Sequence, residues 1–290
     1  HNIMMIGPAG TGKTMLAKAL PGVLPVLSRD EALEVTRIYS SVGQIPKGMP
    51  LMTQRPVRSP HHTISSPAMV GGGSIPKPGE VSLAHQGVLF LDEMPEFPRP
   101  VLETLRQPLE DACVTIARTH SAIRLPARFM LVAAMNPTPK GGKPTDEVSQ
   151  RQMDRYLSKI SGPLVDRVDI HIEVPAVPYQ QLSSQQRGTD TDAMRQDVLK
   201  ARRFQAHRSQ NQQAKPNSAL SGRELDQIAT LDDESRQLLN QAMTELGLSA
   251  RAYDKIRRVS RTIADLEESP TIAVHHLAEA IGYRLLDRQQ

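Results

Sequence analysis

Apolar residues fall in two rhythms along this chain. As far as about Pro175 they come in short unbroken runs bounded by turn residues, and the best strand candidates are 3–6, 88–91, 129–135 and 170–174. Runs without polar alternation, separated by helix-forming sequence, predict strands buried on both faces of a parallel sheet sandwiched by helices. Beyond residue 191 the rhythm becomes helical, over 192–212, 223–231, 233–246, 250–268 and 274–286. Ser249 and Thr271 stand where helix N-caps belong, and Gly247 where a helix ends. Pro175-Ala176-Val177-Pro178 and a Gln/Ser-rich run separate the two rhythms. The expected organisation is an α/β core over 1–176, a linker over 177–191 and an all-helical unit over 192–290.

Two stretches depart from this plan. From 46 to 79 the composition turns to Pro, Gly, Ser and His. A long ordered loop or insertion is expected there, with Gly71-Gly72-Gly73 breaking either regular structure. The runs 114–118 and 122–125 flank Thr119-His120-Ser121, which predicts a β-hairpin projecting just before the strand at 129–135.

Composition narrows the class. Aromatics make up 3% of the 290 residues and Trp is absent, so the core is built from Leu, Ile, Val, Met and Ala. The lone cysteine, Cys113, excludes an intrachain disulfide and a multi-cysteine zinc site and fits a reducing cytoplasm. The longest strongly apolar run, 129–135, is too short to cross a bilayer. A net charge of +4 suits nucleic acid and an ordinary solvated surface alike. The chain starts at His1, hard against its first motif, and reads as a fragment of a longer protein.

That motif is Gly7-Pro8-Ala9-Gly10-Thr11-Gly12-Lys13-Thr14, a G-x-x-x-x-G-K-T phosphate-binding loop between a strand and a helix-forming segment. Its backbone N–H groups suit the β- and γ-phosphates of ATP, Lys13 adds a point charge, and the Thr14 hydroxyl is a Mg²⁺ ligand. Asp92 and Glu93 end the apolar strand at 88–91. Beside a phosphate loop, Asp92 completes the Mg²⁺ shell and Glu93 polarises the attacking water. Asn136, at the end of the next strand, orients that water or, in the plainer reading, merely forms a turn before Pro137. Arg167 is placed to reach a neighbouring subunit's γ-phosphate, and Arg251 to sense nucleotide from the helical unit. Either arginine is equally readable as half of a surface ion pair.

With these residues in view, the chain resembles AAA+ ATPases of the magnesium-chelatase-like group, specifically the YifB/ComM competence-protein family. The resemblance rests on Arg58-Ser59-Pro60-His61-His62-Thr63, Val70-Gly71-Gly72-Gly73-Ser74-Ile75-Pro76, Pro78-Gly79-Glu80-Val81-Ser82-Leu83-Ala84-His85 and Gly87 to Glu93. Ser161 to His171, Ser249-Ala250-Arg251-Ala252-Tyr253 and Ser260 to Leu266 extend it over essentially the whole chain. It implies a P-loop NTPase core with an all-helical lid, a hexameric ring with ATP at subunit interfaces, Arg167 acting in trans and Arg251 as a second sensor. It also implies a helicase that promotes DNA branch migration in natural transformation. The hairpin would face the ring pore, with Arg118, His120 and Arg124 available to phosphates. Family members carry an N-terminal Lon-protease-like domain, which this chain lacks, and often a cysteine-rich stretch after the Asn-Pro, which here reads Pro137 to Pro144 without cysteine. Two rivals stay open: a chelatase motor that remodels a protein partner, and a nucleotide-dependent scaffold. His61-His62 is a poor zinc pair and is assigned a structural or interface role.

Overall fold

The described residues contain nine strands in chain order: β1 (Ile3–Ile6), β2 (Val57–Arg58), β3 (Gly71–Gly72), β4 (Lys77–Pro78), β5 (Val88–Leu91), β6 (Cys113–Arg118), β7 (Ser121–Pro126), β8 (Met130–Met135) and β9 (Ile170–Glu173). They belong to a computed structural model that describes residues 1–45, 47–73, 76–118, 121–137, 156, 158–176, 188–208 and 215–284, without the side chains of 117, 118 and 121. Five of them form a parallel sheet in the order β2-β5-β8-β1-β9. All of β5 and all but the first residue of β8 are buried, as unbroken apolar runs require. Ile6 lies opposite Met135, and Leu91 opposite Ala133. This register gathers the residues leaving β1, β5 and β8 at one end of the sheet, where ligands of open α/β folds bind.

Seven helices complete the described α/β unit: α1 (Lys13–Ala19), α2 (Arg29–Ser41), α3 (Ser66–Val70), α4 (Glu80–Leu83), α5 (Arg99–Thr104), α6 (Arg106–Asp111) and α7 (Gly162–Val165). Ala17 of α1 packs on Met5, Phe90, Val132 and Ala134 of the sheet. Helix α2 begins with a reciprocal cap: Ser28 Oγ accepts from Glu31 N–H at 3.2 Å, and Glu31 accepts from Ser28 N–H at 2.8 Å. Its Val35, Ile38 and Tyr39 bury against Leu83. The hairpin forms as expected, with Thr115 opposite Arg124 and Ile116 opposite Ile123. Its turn residues Thr119 and His120 lie outside the described residues.

Two expectations need correction. The stretch 46–79 is not loop throughout: it contains β2, α3 and an antiparallel pair, β3 with β4. Gly71 enters that pair rather than breaking it, because a Cβ there would sit 2.6 Å from the Lys77 carbonyl oxygen. Only glycine permits such an approach. Thr271 does not cap the last helix. The cap position is Ala273, whose N–H donates to His276 Nδ1 at 2.9 Å, so a side chain inside the helix does the capping.

The helical unit contains α8 (Thr191–Arg208), α9 (Gly222–Ile228), α10 (Asp233–Glu245), α11 (Ala250–Leu266) and α12 (Val274–Gly282). By contact density it takes His1, Val168–Ile172 and the described part of 185–290, while the α/β unit takes Asn2–Arg167 and the described part of 173–184. Ser249 caps α11 as expected, accepting from Ala252 N–H at 3.3 Å. Gly247 has a φ of 61° just past α10. Leu239, Ala252, Ile256, Ala264 and Leu277 form an apolar core. Beside it Asp265, fully buried, accepts from Arg261 Nε at 3.0 Å, Asn217 Nδ2 at 2.7 Å and Gln205 Nε2 at 2.9 Å, and pairs with Arg208. Most of the segment 177–191 and residues 209–212 of the first expected helix lie outside the described residues. Among the described residues, no helix is long and apolar enough to cross a membrane.

Candidate nucleotide-binding site

The loop from Gly7 to Thr14 leaves β1 and enters α1. Gly7 N–H donates to the Met135 carbonyl at 3.2 Å, and Val174 N–H donates to Ile6 at 2.7 Å, so neighbouring chain segments hold the loop's entry on both sides. A Cβ on Gly7 would stand 2.1 Å from the Val174 carbonyl oxygen, which leaves glycine as the residue that fits. Gly10 and Gly12 have φ of 79° and 86°, turning the chain so that α1 starts at Lys13.

Lys13 folds back over this turn. Its Nζ donates to Gly7 O and Pro8 O at 2.7 Å each and to Asn136 Oδ1 at 3.2 Å. Burial lowers the Lys13 pKa from its usual value, and the carboxylates of Asp92 and Glu93 oppose that shift. Thr14 Oγ1 donates to Asp92 Oδ2 at 2.7 Å. A hydroxyl and a carboxylate oxygen that converge at a helix start are a hard-oxygen donor set, and they fit Mg²⁺. Asp92 Oδ1 also accepts from Glu93 N–H at 3.1 Å. Glu93 adopts a left-handed backbone, φ 51° and ψ 47°, and its side chain is 54% exposed. A non-glycine residue in that region is strained, and such strain concentrates at functional positions.

The fold therefore brings together Lys13, Thr14, Asp92, Glu93 and Asn136, which lie far apart in sequence. The remaining candidates are placed differently. Arg167 makes its contacts elsewhere in the α/β unit, donating from Nη1 to Pro163 O at 2.6 Å and pairing through Nη2 with Glu110 of α6. Arg251 is an exposed residue in the first turn of α11 in the helical unit. Arg124 on β7 donates from Nε to Cys113 Sγ at 3.0 Å. The Arg118 side chain and His120 lie outside the described residues.

Three participants escape sequence reasoning. Asn2 accepts from Leu131 N–H at 2.9 Å and donates to Arg167 O at 3.0 Å, tying the start of β8 to the Arg167 segment. Glu110 is the partner of Arg167, and His62 Nδ1 stands 3.9 Å from Glu93 Oε2. No local spacing signals these pairs, which span 57 residues for Glu110 and Arg167. By contrast, the S-x-x-E pattern at Ser28 to Glu31 was a readable sign of α2.

Among the described residues, Glu267, His275 and His276 have the composition of a second metal site, with potential ligand atoms within 4.8 Å of one another. The hydrogen bonds argue otherwise. Ala273 N–H donates to His276 Nδ1, so the neutral ring carries its proton on Nε2 and donates it to Glu267 Oε2 at 3.0 Å. That nitrogen has no lone pair to offer a metal.

Comparison with known proteins places these features in context. Residues 1–182 match the family model described as magnesium chelatase, subunit ChlI, and residues 188–284 match the model for the ChlI C-terminal region. Competence protein ComM of Haemophilus influenzae is 48% identical over 99% of this chain and 56% of its own length. The protein named YifB of Escherichia coli is 46% identical over the same shares. The magnesium-chelatase 38 kDa subunit of Chlorobaculum tepidum is 22% identical over 99% of this chain and 73% of that protein. The chain thus spans about half the length, 56%, of the ComM and YifB proteins it matches.

Proposed function

The chain belongs to the magnesium-chelatase ChlI family, and on that premise we propose that it is an ATP-hydrolysing AAA+ motor of the ComM type, assembled as a hexameric ring and acting on DNA. The observation that carries the hydrolytic half is the convergence of Lys13, Thr14, Asp92 and Asn136 within hydrogen-bond distance at the end of the sheet. The DNA half is supported by the identity to a competence protein, 48%, well above the 22% to a chelatase subunit.

In this reading the loop amides and Lys13 hold the β- and γ-phosphates of ATP. Thr14 and Asp92 would hold Mg²⁺, which supplies charge compensation at those phosphates when bound. Glu93 takes the proton of the attacking water at its carboxylate, and Asn136 orients the same water. Arg167 serves the neighbouring subunit's γ-phosphate, which requires it to exchange Glu110 for phosphate oxygens. Arg251 reports nucleotide state to the helical unit, whose rotation would be the working stroke. The β6–β7 hairpin, through Arg118, His120 and Arg124, contacts the DNA backbone without reading sequence.

The test is steady-state ATPase activity with and without single-stranded and forked DNA. Strong stimulation by DNA is the expected result and leads to a branch-migration assay. Hydrolysis indifferent to DNA overturns the DNA half and favours a motor that remodels a protein partner. Glu93→Gln should bind nucleotide and lose on the order of 10²-fold or more in turnover, the usual contribution of a general base. Turnover equal to that of the unsubstituted protein would remove Glu93 from the base role.

A further inference from the structure

Strand register brings an imidazole to Glu93. In the parallel pairing of β2 with β5, Arg58 lies opposite Leu89. His62 follows Arg58 by four residues, and Glu93 follows Leu89 by four. The two segments leave the sheet side by side, and His62 Nδ1 ends 3.9 Å from Glu93 Oε2. Their exit is anchored: Arg58 grips Glu80 with both arms, Nε to Oε2 at 2.6 Å and Nη2 to Oε1 at 2.8 Å. The ring of His62 stacks on His61 at 4.0 Å between centroids and meets Phe97 edge-on at 6.4 Å. Phe97 is itself buried and closes the turn that Glu93 opens. His61 is tied down in turn through Nδ1 to Thr63 Oγ1 at 3.0 Å.

An ion pair this long and this exposed does little for stability. Its geometry serves orientation instead. Glu93 has a left-handed backbone and a half-exposed side chain, and the imidazole of His62 stands beside its carboxylate. We propose that His62 is a positioning residue for Glu93: its Nδ1, 3.9 Å from Oε2, draws that carboxylate oxygen towards the ring so that the other faces the lytic water. This rests on Glu93 being the general base, and it gives the His61-His62 pair a task in hydrolysis rather than a purely structural one. Displacement of a catalytic group by about 1 Å is enough to cost up to 10²-fold in rate.

Two substitutions separate orientation from packing. His62→Asn keeps a donor near the position of Nδ1 and loses the ring. His62→Phe keeps a ring between His61 and Phe97 and loses the donor. Steady-state ATPase measurements on the purified protein are expected to show kcat reduced about tenfold for His62→Phe with KM unchanged, and kcat near the unsubstituted value for His62→Asn. Added to Glu93→Gln, His62→Phe should subtract nothing further. Should His62→Phe fail to fold, His62→Met, apolar and without a donor, reads the same loss. Normal turnover in His62→Phe, equal losses in both variants, or a loss confined to His62→Asn would each overturn the proposal. Undiminished turnover in Glu93→Gln alone would instead overturn the base assignment on which it rests.

Discussion

Three oxygens surround the Lys13 ammonium, from Gly7, Pro8 and Asn136, so the side chain is fixed before any phosphate arrives. A charged donor held in this way contributes roughly 1.5–3 kcal/mol. Lys13→Ala should therefore weaken nucleotide binding by about 10- to 150-fold, measurable by titration calorimetry. A second residue-scale prediction concerns acid stability. His171 is fully buried, and burial, followed by the nearby charges of Arg284 and Lys255, pushes its pKa down to about 3 from 6.5. Above pH 6.5 the ring is neutral whether the chain is folded or not, and it costs nothing. As pH falls from 6.5 towards 3 the unfolded chain gains a proton that the folded one refuses, and stability is lost across that window. His171→Gln should flatten the fall of Tm between those limits relative to the unsubstituted protein.

Elements carry predictions of their own. Gly7→Ala must push a backbone carbonyl aside, since the new Cβ meets Val174 O at 2.1 Å. A cost of about 1–3 kcal/mol is expected, together with loss of nucleotide binding because the loop entry moves. Ser28→Ala removes one half of the α2 cap and should cost about 1 kcal/mol by denaturant titration, with binding unaffected. Which elements could be read from the chain follows from the same physics. β5 and β8 announce themselves as unbroken apolar runs because both their faces are buried, β1 and β9 as short runs bounded by turn residues, and the helices beyond 191 by the period that one buried face imposes. β2 does not, because two residues hold no period and its place is set by pairing with β5. The phosphate loop and Asp92-Glu93 were legible as motifs and their convergence followed from a parallel sheet. His62 beside Glu93, Glu110 beside Arg167 and Asn2 beneath Arg167 were not, since each depends on register between distant segments. Thr271 misled because a hydroxyl near a helix start is ordinarily the cap, whereas the cap position falls two residues later at Ala273, whose own N–H donates to His276 Nδ1.

At the scale of the molecule, two units with separate apolar cores predict two separable unfolding transitions. Asp265→Ala strips a buried carboxylate from Arg261 and Arg208 and leaves both guanidinium groups uncompensated. Losing one partner of such a cluster costs about 3–5 kcal/mol. Scanning calorimetry should show the helical-unit transition lowered and the α/β transition unmoved, whereas Gly7→Ala should do the reverse. A single transition shifted by both would mean that the units unfold as one. The left-handed backbone of Glu93 has a further bearing on the whole chain. Glycine would relax that bend and raise the melting point while removing the carboxylate. A designer who ranked substitutions by thermal robustness alone would write Gly at 93 and discard the carboxylate that the proposed hydrolysis needs. Position 93 thus marks where durability and the proposed work would pull the sequence in opposite directions.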